Sequence, residues 1–218
     1  MSVKFDQYWR IVAQRDKEYR KFIINKFIPT INRLGIHTVA VWTVLVGSYA
    51  EIIFEGVSND LELIEKALKN PKYKDLKDNL LNYVKDYKTK VMVLTGRTDS
   101  YTRDVKENTV KFNQMWDIRF DKIDDYERYV SQEFYPTLED LDISVAAEWD
   151  VIIGDGPHIM CEGRTQNIDK LVHNLQRKKF LRARSELNKY VENYSSRFLS
   201  FHIQKIKGYK SESYNLCW

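Results

Sequence analysis

Residues 4–94 and 111–201 align on each other at a constant offset of 107 without a gap, and 24 of the 91 paired positions are identical. A chain built this way is a tandem duplication, so the fold adopted by one half must also suit the other. Lys4-Phe5-x-Gln7-x-Trp9-x-Ile11 recurs as Lys111-Phe112-x-Gln114-x-Trp116-x-Ile118, and Phe27-x-Pro29-Thr30 recurs as Phe134-x-Pro136-Thr137. Ala40-x-Trp42-x-Val44-x-x-Gly47 returns as Ala147-x-Trp149-x-Val151-x-x-Gly154, Glu55-Gly56 as Glu162-Gly163, and Tyr83-Val84-x-x-Tyr87 as Tyr190-Val191-x-x-Tyr194. We divide the chain into a first repeat (1–95), a polar linker or loose arm (96–108), a second repeat (109–203) and a basic aromatic tail (204–218) that either docks or stays disordered.

Each half reads as strand, helix, strand, strand, helix, strand. In the first, Tyr8–Gln14 alternates as a strand, and Tyr19, Phe22, Ile23, Phe27, Ile31 and Leu34 recur at helical spacing over 16–34, with Gly35 as the stop. Ile36–Leu45 and Glu51–Val57 are β-rich runs joined by a turn at Gly47-Ser48. Ser58-Asn59-Asp60 offers a cap for a helix over 61–83 that Pro71 interrupts, and Thr89–Thr95 closes the unit. The second half repeats the order with strands over 112–120, 144–153, 158–164 and 197–203, and helices over 124–141 and 167–190. A βαββαβ unit is ferredoxin-like: two helices cover one face of an antiparallel sheet and leave the other face bare. A fused second copy can cover that face, so the expected fold class is α+β, two tandem ferredoxin-like repeats forming a single-chain pseudo-dimeric α+β barrel.

A 43% hydrophobic content with 13% aromatic residues is enough for a packed core. The charge of +4 is mild and the lysines are dispersed, which argues against a nucleic-acid partner. Cys161 and Cys217 make neither a disulfide framework nor a metal-binding pair, and no apolar run reaches membrane-spanning length. The start Met1-Ser2-Val3-Lys4-Phe5 lacks the pattern of a signal peptide, so a soluble, cytoplasmic protein is expected. There is no G-x-S-x-G elbow, Walker A loop, G-x-G-x-x-G turn or H-E-x-x-H helix.

The stretches Phe27-Ile28-Pro29-Thr30-Ile31-Asn32-Arg33-Leu34-Gly35, Val39-Ala40-Val41-Trp42-Thr43-Val44-Leu45-Val46-Gly47 and Asn70-Pro71-Lys72-Tyr73 resemble the NIPSNAP-like branch of the dimeric α+β barrel superfamily, which includes the antibiotic-biosynthesis monooxygenases. The second half keeps Pro136, Trp149 and Gly154 but has Arg177-Lys178-Lys179-Phe180 at the last motif. The resemblance implies homodimers, small-molecule pockets and, in some branches, haem or cofactor-free oxygenation. No catalytic signature of those branches carries over residue by residue.

Trp9/Trp116, Ile11/Ile118, Ala40/Ala147, Trp42/Trp149 and Val44/Val151 share parity within their strands and are unchanged between halves. We place them on the face under the helices, as core anchors or as walls of a ligand pocket. The other parity has diverged, with Arg10, Val41, Thr43 and Glu51 answered by Asp117, Glu148, Asp150 and His158, and Val12 by Arg119, while Glu55 is kept as Glu162. With a tight hairpin near Gly154-Asp155, Glu148 is expected opposite Glu162, with Asp150 and His158 beside them. Asp117, Arg119, Glu148, Asp150, His158 and Glu162 are therefore the candidates for acid–base catalysis or ligand orientation. His158, Glu148 and Glu162 could also hold one divalent ion. The plainer reading is a hydrated interior whose charges pair internally, Arg119 with Asp117 or Arg10 with Glu55. The cofactor stays open between none, haem and a single metal. The expected partner is a small apolar molecule with a polar handle, handled by an oxygenase or isomerase, or held by a non-catalytic binding or scaffold module; self-association into a homo-oligomer fits the same picture.

Overall fold

The computed structural model describes residues 2–47, 51–98, 101–207 and 212–216, with side chains through Ile203. Ser48 of the expected turn, and Tyr209, Cys217 and Trp218 of the tail, lie outside the described residues, as does the side chain of Tyr214. The chain forms two compact units, one of residues 1–92 and 201–218, the other of 93–200.

The first unit carries strands β1 (Val3–Ile11), β2 (His37–Val46), β3 (Ile52–Ser58) and β4 (Val84–Leu94), the last two residues of β4 belonging to the second unit. The sheet order is β2-β3-β1-β4. Its first helical segment runs as α1 (Asp16–Phe22), one π-helical turn (Ile23–Phe27) and α2 (Ile28–Arg33). The turn has a local cause. Pro29 has no N–H to give to the preceding helical turn, and the helix widens so that Ile28 N–H bonds to Ile23 C=O, five residues back. The second helical segment is broken as Pro71 demands, into α3 (Leu61–Lys69), capped by Asp60 at 2.8 Å from Leu63 N, and α4 (Pro71–Leu81), capped by Asn70.

The second unit repeats this with β5 (Val110–Ile118), β6 (Ser144–Ile153), β7 (Ile159–Thr165) and β8 (Val191–Lys207), in the order β6-β7-β5-β8, the residues of β8 from Phe201 belonging to the first unit. Its helices are α5 (Ile123–Tyr129), a π turn (Val130–Phe134), α6 (Tyr135–Glu139), α7 (Ile168–Leu175) and α8 (Lys178–Leu187). The π turn before Pro136 matches the one before Pro29. Gly35, at φ +88°, ends the first helical segment as expected; its counterpart Asp142 takes the same left-handed conformation, at φ +56°, without glycine's help. In the tail, β9 (Glu212–Leu216) pairs antiparallel with β8 from Ile203 to Lys207.

The helix-covered face of each sheet is packed around one tryptophan. Trp9 donates its indole N–H to Tyr19 at 3.0 Å and stacks on Tyr87; Trp116 donates to Tyr126 at 3.0 Å and stacks on Tyr194. The other tryptophan pair corrects our face assignment. Residues directly opposite in antiparallel strands share a face, and Trp116 stands opposite Ile159, whereas Trp149 stands opposite Met160. Trp42 likewise stands opposite Ile53 while Trp9 stands opposite Ile52. Ala40, Trp42, Ala147 and Trp149 therefore lie on the face away from the helices.

Candidate functional site

A surface cleft of about 780 Å³ opens in the second unit where the end of β5, the start of α5 and the β6–β7 hairpin meet. Asp117, at the end of β5, and His158, just before β7, form one wall. His158 Nδ1 lies 2.7 Å from Asp117 Oδ1, which also accepts the backbone N–H of His158 at 2.8 Å. Asn193, in the left-handed conformation at φ +55°, donates to Asp117 Oδ2 at 2.8 Å. Burial alone would raise the Asp117 pKa, but the hydrogen bonds from Asn193 and from the ring and backbone of His158 bring it below the ordinary carboxylate value. In the neutral ring a carboxylate at Nδ1 makes that nitrogen the donor and Nε2 the acceptor, on a side chain that is 72% exposed. Asp150 and Glu192 add two further carboxylates, and Ile118, Phe120 and Ile123 add apolar surface.

Behind the cleft sits a buried polar cluster. The Glu148 side chain is fully buried and accepts from Tyr126 at 2.8 Å, from Tyr135 and from Nη1 of Arg97. Arg97 reaches the cleft wall and spends Nε and Nη2 on Glu127. Burial opposes the charge on Arg97, but Glu148 and Glu127 outweigh it and raise the pKa. Burial first, and then Glu148, push the Tyr126 hydroxyl far up, so it stays a donor. The same two causes, with Glu162 added, keep the thiol of buried Cys161 protonated.

The expected convergence of four residues does not occur. The β6–β7 register pairs Glu148 with Cys161 and Ala147 with Glu162, one residue away from the pairing expected around Gly154-Asp155. A one-residue slip moves a side chain to the other face. Glu148 and Asp150 lie on the helix-covered side, whereas Glu162 lies on the opposite side, 2.7 Å from Lys111 Nζ and 2.8 Å from Arg164 Nη2. Asp117, Asp150 and His158 do meet, in the cleft. Arg119 does not pair with Asp117; its Nε donates to the Val191 carbonyl at 3.2 Å. Nor does Arg10 pair with Glu55: Arg10 lies 3.6 Å from Asp86, and Glu55 holds Lys4 at 2.7 Å and the Trp42 indole at 2.6 Å.

The metal set His158, Glu148 and Glu162 is corrected for the same reason, since two of its members occupy opposite faces of a sheet. Among the described residues no three His, Cys, Asp or Glu side chains are grouped to hold a metal ion.

Sequence reasoning missed Arg97, Tyr126, Tyr135 and Asn193. The linker containing Arg97 reads as polar and aperiodic, yet Arg97 and Tyr101 pack into the second unit, the latter 4.9 Å from the Trp149 ring. One signal was available. Ile28 and Val41 of the first repeat are both replaced by polar residues, Tyr135 and Glu148, and those two touch.

No family model matches the sequence, and no curated protein matches it. Among solved structures, an inferred monooxygenase from Fusobacterium nucleatum superimposes with a TM-score of 0.66 at 11% identity, covering 100% of this chain and 98% of that one. A mutant chlorite dismutase from Candidatus Nitrospira defluvii gives 0.63 at 7% identity over 91% of each chain. An anthrone oxidase-like protein gives 0.62 at 7% identity over 92% of this chain and 91% of its own. Among the described residues no helix is long and apolar enough to cross a membrane. Likeness at such low identity is likeness of fold: the chain shares with these structures the α+β fold of two tandem ferredoxin-like repeats that the sequence predicts.

Proposed function

We propose that the second repeat binds a small, largely apolar molecule in the cleft beside Asp117 and that His158 Nε2 takes a proton from it. One observation carries this reading: the 2.7 Å Asp117–His158 pair stands on the wall of a cleft of about 780 Å³. The aspartate fixes the tautomer and stabilises the imidazolium that forms, so the base is oriented before substrate arrives. In an isomerase of this kind a C–H bond beside a carbonyl breaks, an N–H bond forms at Nε2, and the proton returns to a different carbon. No oxidant is consumed. In an oxygenase the same deprotonated substrate would meet dioxygen, a reading suggested by the oxygenase and oxidase names of two fold neighbours.

The test is deuterium incorporation from D2O into a panel of aryl alkyl ketones, followed by NMR. Wild type should exchange above buffer, and His158→Gln should lose on the order of 100-fold or more of that rate. Asp117→Asn should lower the rate while His158 stays in place. Binding without exchange in wild type would favour a non-catalytic binding module.

A further inference from the structure

Resting on the reading of the cleft as a small-molecule site, we infer that the ligand's polar handle is a cation, a protonated amine, rather than a carboxylate or phosphate. The charges facing the cleft support this. Asp117, Asp150 and Glu192 present three carboxylates, while the Arg97 guanidinium is engaged by Glu148 and Glu127. Among the described residues, the side chains of Asp150 and Glu192 make no hydrogen bond or ion pair within the protein, so both are available to a ligand.

The duplication shows that the fold does not require this acidity. The positions equivalent to Asp117, Asp150 and Glu192 are Arg10, Thr43 and Lys85, so the same backbone framework carries two cations and no carboxylate at those places in the first repeat. Apolar surface has been added at the same cleft. Ala13 and Asp16 are answered by Phe120 and Ile123, and these are 93% and 42% exposed. At the cleft wall, Phe120 and Ile123 can take the hydrocarbon part of a ligand, and the phenyl ring can lie against an ammonium group. Two charge reversals, one new carboxylate and two new apolar side chains, all lining one cleft, form a surface complementary to an amphipathic amine.

The full-length, uniformly 15N-labelled protein should be titrated at low ionic strength with three probes of matched shape: 4-phenylbutylammonium, 4-phenylbutan-1-ol and 4-phenylbutanoate. The ammonium should shift amide resonances of residues 117–123, 158 and 192 with a Kd at least about fivefold below either other probe. Glu192→Lys, which installs the first-repeat residue at an exposed position, should weaken the ammonium by roughly two- to fivefold or more and strengthen the carboxylate. Asp150→Asn should weaken the ammonium without that reversal. If the alcohol or the carboxylate binds at the cleft as tightly as the ammonium, the cationic handle is wrong and the small-molecule site survives. If none of the three moves a cleft resonance, both readings fall.

Discussion

Lys111 Nζ stands 2.7 Å from Glu162 Oε1 with both side chains shielded from water, and Lys4 stands the same 2.7 Å from Glu55 in the first repeat. All four residues are identical between the halves, and each pair lies on the sheet face away from the helices. A buried ion pair of this kind tolerates removal of both partners far better than removal of one. Lys4→Met should therefore cost about 3–5 kcal/mol. Adding Glu55→Leu should recover most of the loss, less about 1 kcal/mol for the hydrogen bond that Trp42 then forfeits. Urea denaturation of wild type, single and double variants measures both. A double variant no more stable than Lys4→Met would rule out this account.

Tyr19 and Tyr126 form an internal control. Each accepts an indole N–H at 3.0 Å, but Tyr126 also donates to buried Glu148 at 2.8 Å. Tyr19→Phe should cost about 1 kcal/mol, and Tyr126→Phe roughly 2–4 kcal/mol because a charged acceptor loses a donor as well. The comparison uses denaturation midpoints of the two variants. Equal losses would mean that the hydroxyl on Glu148 contributes little.

The Tyr135–Glu148 pair occupies the place of Ile28 and Val41. Tyr135→Ile alone removes a donor from a buried carboxylate, and Glu148→Val alone leaves the Tyr135 hydroxyl and one Arg97 nitrogen without that acceptor. The double variant rebuilds the apolar pair of the first repeat. Its destabilisation should fall short of the sum of the singles by about 1–3 kcal/mol, as a double-mutant cycle by thermal or urea unfolding can establish. Strict additivity would argue against the pairing.

His202 provides an acid-sensitive element in the first unit. Burial first, and then Arg20, lower its pKa from 6.5 to about 4, with Asp16 acting the other way. Its ring lies 6.0 Å from that of Tyr19, and among the described residues its Nε2 has no hydrogen-bond partner. The unfolded chain takes up the proton below about pH 6.5 and the folded chain only near pH 4. The contribution is thus fully present above 6.5 and is lost as pH falls through that window, by about 3 kcal/mol in all. His202→Phe should flatten the stability profile between pH 6.5 and 4 relative to wild type. His37, His158 and His173 remain in both proteins, so the difference between the two curves isolates His202.

The duplication and the βαββαβ order were legible because one pattern recurs at a single offset, and the break at Pro71 because it depends on local chemistry; the break between α7 and α8, where Lys178 stands in place of that proline, was not. Pro71 breaks a helix wherever it sits in one. Glycine recurs at 56 and 163 for a reason only the packing shows: a Cβ there would lie 2.6 Å from Ile36 Cγ2 and 2.7 Å from Ile143 Cγ2. The Asp117–His158 contact was not read, because the two residues lie 41 apart in sequence and meet only at the ends of neighbouring strands.

By itself, then, the sequence determined that two copies of one unit would form and which residues alternate along each strand. It left open the phase between strands. Both second strands carry a register shift, between Thr38 and Ala40 and between Val145 and Ala147, so residues of the same parity on either side of the shift point to opposite faces. Tertiary structure alone decided that Trp149 and Glu162 share one face while Glu148 and Asp150 share the other. The physical reason is that alternation is a property of one strand, whereas facing is set by the hydrogen-bond register with its neighbour, and a single extra residue inverts it.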